Sequence, residues 1–123
     1  DRVLVDAPCS GEGRFTAAEP GTWRSWSRRT VAESVRLQRR LLASGIRALK
    51  PGGTLVYSTC TVNAEENEAI VEGALGTQQV SVEPVPIRVP GALSGVRGLE
   101  AAVRIVPDRD HEGFFVCRMR KRV

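Results

Sequence analysis

Three side chains able to do chemistry sit at the ends of two short apolar segments. The first segment reads Val3-Leu4-Val5-Asp6-Ala7-Pro8-Cys9-Ser10-Gly11, and the second Thr54-Leu55-Val56-Tyr57-Ser58-Thr59-Cys60-Thr61. Cys9 and Cys60 bring thiols, whose thiolate forms attack electron-poor carbon. Asp6 brings a carboxylate that can hydrogen-bond a ring nitrogen, although an Asx turn ahead of Ala7-Pro8 is an equally local use for it. Cys9 falls in a Pro-Cys-Ser-Gly turn, where exposure is expected. Cys60 follows several hydroxyls and precedes an expected helix start, a setting that favours an anion; burial as a small apolar group is the alternative. The third cysteine, Cys117, lies inside an apolar run and reads as core.

Other chemistries fit less well. Cys9, Cys60, Cys117 and the single histidine, His111, show no Cys-x-x-Cys or His-x-x-x-His spacing, so no metal site is expected. His111 sits in the charged stretch Asp108-Arg109-Asp110-His111-Glu112 and reads as solvated or hydrogen-bonded. Gly11-Glu12-Gly13 lacks the third glycine of a dinucleotide fingerprint. No Ser-His-Asp set emerges, and Ser58 reads as part of the second turn.

Positioning both cysteines requires a strand–helix–strand unit. Residues 2–6 are short and Val/Leu-rich, as in a strand buried on both faces. A Gly/Ser/Arg/Trp-rich loop over 7–29 follows. Thr30 and Glu33 fit a capping box, and Val31, Val35, Leu42, Ile46 and Leu49 then repeat along one helical face. Arg36, Arg40 and Arg47 lie off that stripe, as a solvated outer face would place them; contact with RNA is the alternative. Lys50-Pro51-Gly52-Gly53 stops the helix, and the second strand runs over 54–58. A right-handed crossover returns that strand parallel to the first. Neighbouring strands lie ~4.8 Å apart, so both cysteines emerge at the carboxyl edge, where open α/β sheets bind ligands.

Further along, Asn63 is expected to cap a second helix, with Glu65 and Glu66 in its first turn and Ile70, Val71, Ala74 and Leu75 inward. Gly76 ends it. A third strand is expected over 80–84, a loop over 85–101, and strands over 103–106 and 113–119.

With 123 residues, 26% charged and 41% hydrophobic, the chain suits one globular domain. No apolar run reaches the ~20 residues of a membrane span, and no secretory leader is evident. Three cysteines fit reduced thiols in a cytoplasmic setting. The net charge of +4 is compatible with a polyanionic partner without requiring one. The chain enters a strand directly after Asp1, so we expect it to be the C-terminal part of a longer protein.

The residues then resemble a specific family. Asp6-Ala7-Pro8-Cys9-Ser10-Gly11-Glu12-Gly13 is similar to the Asp-Ala-Pro-Cys-Ser-Gly motif of the Sun/Nop RNA cytosine-5 methyltransferases. Tyr57-Ser58-Thr59-Cys60-Thr61, followed by Asn63 and Glu65-Glu66-Asn67-Glu68, resembles that family's Thr-Cys motif. Leu37-Gln38-Arg39, Leu41-Leu42 and Leu49-Lys50-Pro51-Gly52-Gly53 resemble the intervening helix and turn, and Gly113-Phe114-Phe115-Val116 the last strand.

The resemblance implies an α/β fold: the C-terminal half of a Rossmann-like class I methyltransferase domain. Its sheet order is 3-2-1-4-5-7-6, of which residues 1–123 would supply strands 4, 5, 7 and 6 with flanking helices. It implies S-adenosylmethionine as cofactor and RNA as partner, ribosomal RNA before transfer RNA, with neither membrane nor metal involved. Cys60 would be the nucleophile that adds to cytosine C6, Asp6 would hold or protonate N3, and Cys9 would assist release of the adduct. Asp6 and Pro8 would also lie against the cofactor. DNA cytosine-5 methyltransferases use the Pro-Cys cysteine as nucleophile and lack the second motif, so Thr59-Cys60 favours RNA.

The family's glycine-rich cofactor loop, ribose-binding acid and active-site lysine belong upstream of the Pro-Cys motif, so residues 1–123 alone are expected to be inactive. A non-catalytic RNA-binding half-domain, a methyltransferase for another substrate and a dithiol redox protein are the competing readings. Trp23 and Trp26 suit packing of their loop or stacking on bases.

Overall fold

The computed structural model describes all 123 residues. The chain forms β1 (Arg2–Asp6), α1 (Arg28–Ala48), β2 (Thr54–Thr59), α2 (Glu68–Leu75), β3 (Val80–Glu83), β4 (Leu93–Ser94), β5 (Val103–Ile105) and β6 (Phe114–Lys121), with single 3-10 turns at Glu12–Arg14 and Pro20–Thr22. All six strands join one sheet. β1 and β2 are parallel, with Asp6 opposite Ser58. β6 runs antiparallel to β2 along one edge, and its other edge is shared between β5 and β3. The order β1-β2-β6-β3 is the order expected of strands 4, 5, 7 and 6.

Alternation along β2 and β6 builds the core. Leu55 and Tyr57 point inward from β2, and Phe115, Cys117 and Met119 from β6, all fully buried. Tyr57 meets Phe115 edge to face with ring centroids 6.3 Å apart, a geometry worth ~1 kcal/mol beyond the buried area. Burial pushes the Cys117 thiol up to about 12, in keeping with its structural reading. From α1 and its C-cap, Leu42, Ile46 and Leu49 close over this layer, and from α2, Ile70, Val71 and Ala74. At Gly45 the helix backbone comes so near the sheet that a Cβ would stand 2.9 Å from the Val5 side chain, so a larger residue would force the layers apart.

Several expectations need correction. β1 is covered on one face only: Val5 is buried under α1, whereas Leu4 is 69% exposed. A Val/Leu-rich strand reads as doubly buried whether or not its second face finds a cover. α1 starts earlier than expected, because the Ser27 side chain, not Thr30, accepts the capping bond from the Thr30 N–H. The second helix starts later: Asn63 makes an Asx turn to the Glu65 N–H, and helical residues begin at Glu68. The expected loop over 85–101 contains β4, a two-residue strand that pairs with β5. Arg36, Arg40 and Arg47 are exposed, as the helical stripe required.

One buried ion pair fastens the second half together. Glu68, at the start of α2, is fully buried and accepts from Nε and Nη2 of Arg104 in β5. Arg104 also donates to the Val62 carbonyl, and the Val96 N–H donates to Glu68. Burial opposes ionisation of Glu68, but these donors outweigh it and hold its carboxyl below the usual range. Such a group contributes stability above the ordinary carboxylate pKa and loses it as pH falls through its own lower value. Replacing Glu68 with Ala leaves Arg104 unpaired, and chemical denaturation should show a loss of about 3 kcal/mol at pH 7 that shrinks in acid. A loss below ~1 kcal/mol at pH 7 would show that the pair does not fasten these elements.

Candidate active site

The parallel register of β1 and β2 carries both cysteine turns to the same edge of the sheet. The ladder runs one step beyond β1, where the Ala7 N–H donates to the Ser58 carbonyl at 2.9 Å. From there the chains turn, and the sulfurs of Cys9 and Cys60 meet at 2.9 Å, both half-buried. A third backbone stacks on this pair. The Gly13 N–H donates to the Cys60 carbonyl, and the Gly113 N–H to the Gly13 carbonyl. A Cβ at Gly13 would fall 2.3 Å from the Gly113 carbonyl oxygen and 2.7 Å from that of Cys60, so only glycine permits this approach.

An open polar cleft of about 650 Å³ lies over the sulfurs, and its walls include Cys9, Cys60, Arg14, Phe15, His111 and Glu112. His111 hydrogen-bonds Asp108 through Nδ1 at 3.0 Å, and Arg14 stands 3.6 Å from Glu112 on the exposed rim. Burial, with the bond to Cys60 second, pushes the Cys9 thiol up to about 12. That direction favours the neutral thiol at Cys9, and the short contact between the two sulfurs is a hydrogen bond in which either can be the donor.

Asp6 and Pro8 are brought to the same edge but not into the cleft. Both are exposed, and Asp6 accepts from the Ser58 hydroxyl at 2.7 Å. Asp6 shares with Leu4 the face of β1 that α1 leaves open. Cys60, by contrast, stands well ahead of α2, so no helix end acts on it as expected. Trp23 and Trp26 remain partly exposed with their indole N–H groups tied to the Thr16 carbonyl and to Glu12.

Two residues beneath the cysteines had not been expected to matter. Glu66, expected in the first turn of the second helix, lies ahead of that helix, is fully buried and accepts from Ser10 and Gln38. The glutamate-rich run around it offers no signal of burial. Gln38 did leave one: it fills the seven-residue gap between Val35 and Leu42 at helical spacing, a polar residue on an apolar stripe.

A parallel β1–β2 pair continued by antiparallel β6 and β3, with helices on one face and ligand-facing turns at the carboxyl edge, is half of a class I methyltransferase sheet. The defining pattern of the 16S rRNA methyltransferase RsmB/F family matches residues 1–120, and the chain belongs to that family. It is 45% identical to the ribosomal RNA small subunit methyltransferase F of Serratia proteamaculans (strain 568), over 98% of this chain and 26% of that protein. The protein of the same name from Escherichia coli O139:H28 is 44% identical over the same shares. The chain thus spans about a quarter of the length of these relatives. Among solved structures, NSun6 from Pyrococcus horikoshii with SFG superposes with a TM-score of 0.80 at 32% identity, covering 96% of this chain and 29% of that one. A methyltransferase homolog protein from the same organism gives 0.72 at 35%, covering 98% and 39%.

The state of Cys9 can be read by alkylation. At pH 7 its labelling by iodoacetamide, followed by peptide mass spectrometry, should run ~100-fold or more below that of a free cysteine peptide and rise steeply toward pH 10 and above. Labelling at the peptide's rate would show that Cys9 is not held as a thiol.

Proposed function

We propose that this chain is the C-terminal part of the catalytic domain of an S-adenosylmethionine-dependent RNA methyltransferase acting on C5 of a cytosine in small-subunit ribosomal RNA. The observation that carries the reading is the meeting of two thiols, delivered by separate strand ends, above the carboxyl edge of a methyltransferase sheet. Membership of a 16S rRNA methyltransferase family supports the substrate. The neighbour solved with SFG, an analogue of S-adenosylmethionine, supports the cofactor.

Each residue has a distinct task. The target base must leave its stack to reach the cleft. The Cys60 thiolate bonds to C6, and the π pair of the C5–C6 double bond moves onto C5 and toward N3, which Asp6, reaching from the same sheet edge outside the cleft, holds or protonates, the proton returning when the ring is restored. Asp6 and Pro8 would lie against S-adenosylmethionine, which when bound would supply an electrophilic methyl group to C5 and leave as S-adenosylhomocysteine, keeping the electron pair of the broken S–CH3 bond. Water then takes the C5 proton, the freed pair restores the C5–C6 double bond, and the C6–S bond breaks with its electrons returning to Cys60. Cys9 assists this last event: its thiol is placed to hydrogen-bond the Cys60 sulfur as negative charge returns. A thiol with its pKa pushed up to about 12 is suited to donating that bond and unsuited to competing for C6.

No helix is long and apolar enough to cross a membrane, and no cluster of metal-ligating side chains occurs. The exposed arginines of α1 and the two tryptophans are available to an RNA substrate without being required by this chemistry.

Two experiments test the reading. With the full-length protein, labelled S-adenosylmethionine and 16S rRNA, Cys60→Ala should abolish transfer. Cys9→Ala should accumulate a protein–RNA adduct that survives a denaturing gel. The reverse pattern would exchange the two roles, and no labelling of RNA by the wild type would remove the enzyme assignment. Residues 1–123 on their own should transfer no methyl group, so measurable turnover by that piece would contradict the half-domain reading.

A further inference from the structure

Cys9 is gripped from both sides by residues that do not line the cleft. On its N-terminal side, Gln38 of α1 donates Nε2 to the Pro8 carbonyl at 2.9 Å. On its C-terminal side, Glu66 accepts from the Ser10 N–H at 2.8 Å and from the Ser10 hydroxyl at 2.6 Å. The two grips are joined, because Gln38 Nε2 also donates to Glu66 Oε1 at 3.1 Å. Glu66 is itself fixed: its carbonyl accepts from the Tyr57 hydroxyl, and its N–H donates to the Asn63 carbonyl. Tyr57 belongs to β2, the strand that carries Cys60. The grip therefore references the Cys9 sulfur to the strand bearing its partner.

This arrangement is costly for a loop that only needs to pack. Gln38 and Glu66 are both fully buried, and no cation neutralises the carboxylate. A buried carboxyl group is costly unless hydrogen-bond partners surround it. The Gln38 carbonyl oxygen is buried with no hydrogen-bond partner, a further sacrifice to the orientation of its amide. Chain packing alone would be served by apolar side chains.

We propose that Glu66 and Gln38 are positioning residues that set the Cys9 thiol against the Cys60 sulfur and so control release of the covalent adduct. The inference rests on the assignment of Cys60 as nucleophile and Cys9 as donor to it. In the release step the C5 proton goes to water, its bond pair closes the C5–C6 double bond, and the C6–S pair returns to Cys60. The clamp acts only there, by keeping the Cys9 thiol within hydrogen-bonding reach of the departing sulfur. Attack on C6 uses Cys60, which the clamp does not hold directly.

The test uses the full-length protein with labelled S-adenosylmethionine and 16S rRNA. In Glu66→Ala and Gln38→Ala, first-turnover transfer should stay near wild type while steady-state turnover falls roughly tenfold to a hundredfold, with adduct accumulating on denaturing gels. Glu66→Gln, which keeps an acceptor for the Ser10 N–H, should recover part of the loss. In a Cys9→Ala background Glu66→Ala should add nothing, because both changes act on one sulfur. Ser10→Ala removes the hydroxyl's bonds to Glu66 and to Thr61 but keeps the Ser10 N–H bond, and should give the same split on a smaller scale, should Glu66→Ala unfold in a thermal melt.

First-turnover and steady-state rates falling together without adduct in the folded variants would overturn the clamp. So would additive effects of Glu66→Ala and Cys9→Ala. Adduct absent from Cys9→Ala itself would overturn the release reading underneath, an outcome distinguishable from failure of the clamp alone.

Discussion

A carboxylate taken out of water must be surrounded by donors, and the Glu66 carboxylate finds its donors on the two elements that hold the cysteine turns in place. Ser10 comes from the turn after β1, and Gln38 from the middle of α1. The backbone of Glu66 hangs from Tyr57 of β2. Once this demand is met, β1, α1 and β2 have fixed positions relative to one another, and the sulfurs of Cys9 and Cys60 have little freedom left. The hydrophobic layer of Val5, Leu42, Ile46, Leu55 and Tyr57 stabilises the same three elements but sets no such register. Apolar contacts tolerate sliding; a ring of hydrogen bonds to one carboxylate does not.

The neighbouring turn obeys the same economy. The Thr59 hydroxyl bonds Asn67, and Asn67 donates to the Thr61 carbonyl, so the chain leaving Cys60 is bound to the entry of α2. Glu68, next in sequence, turns the other way and takes Arg104 from β5. Three consecutive polar residues, Glu66, Asn67 and Glu68, thus face inward and tie three separate parts of the molecule together. This charged and polar run is the polar hub beneath the site.

That hub marks the limit of what the sequence makes legible. Strand identity, the parallel β1–β2 pair and the convergence of Cys9 with Cys60 follow from local apolar runs and one rule of handedness. The order β1-β2-β6-β3 is foreshadowed only through family resemblance, because nothing local in residues 114–121 announces a central strand. Thr30 and Glu33 satisfy the capping pattern, yet Ser27 takes the cap, since several hydroxyls compete and tertiary packing chooses among them. Glu66 is invisible because its burial depends on donors remote in sequence at Ser10 and Gln38. The doubly buried reading of β1 fails at Leu4 because residue type records what a strand can bury, not what arrives to cover it.

The place of β6 has a consequence for how this sheet comes into being. β2, β3 and β5 all take β6 as a partner, and β6 follows every one of them in the chain. A ribosome delivers residues in order, so those three strands emerge with their hydrogen-bonding edges unmet and wait for residues 114–121. Until then α1 and α2 can form, but the layer they are meant to cover has a gap at its centre. Thr59, one residue before Cys60, pairs with Phe115, so the strand end that carries this cysteine gains its second neighbour only once β6 is in place.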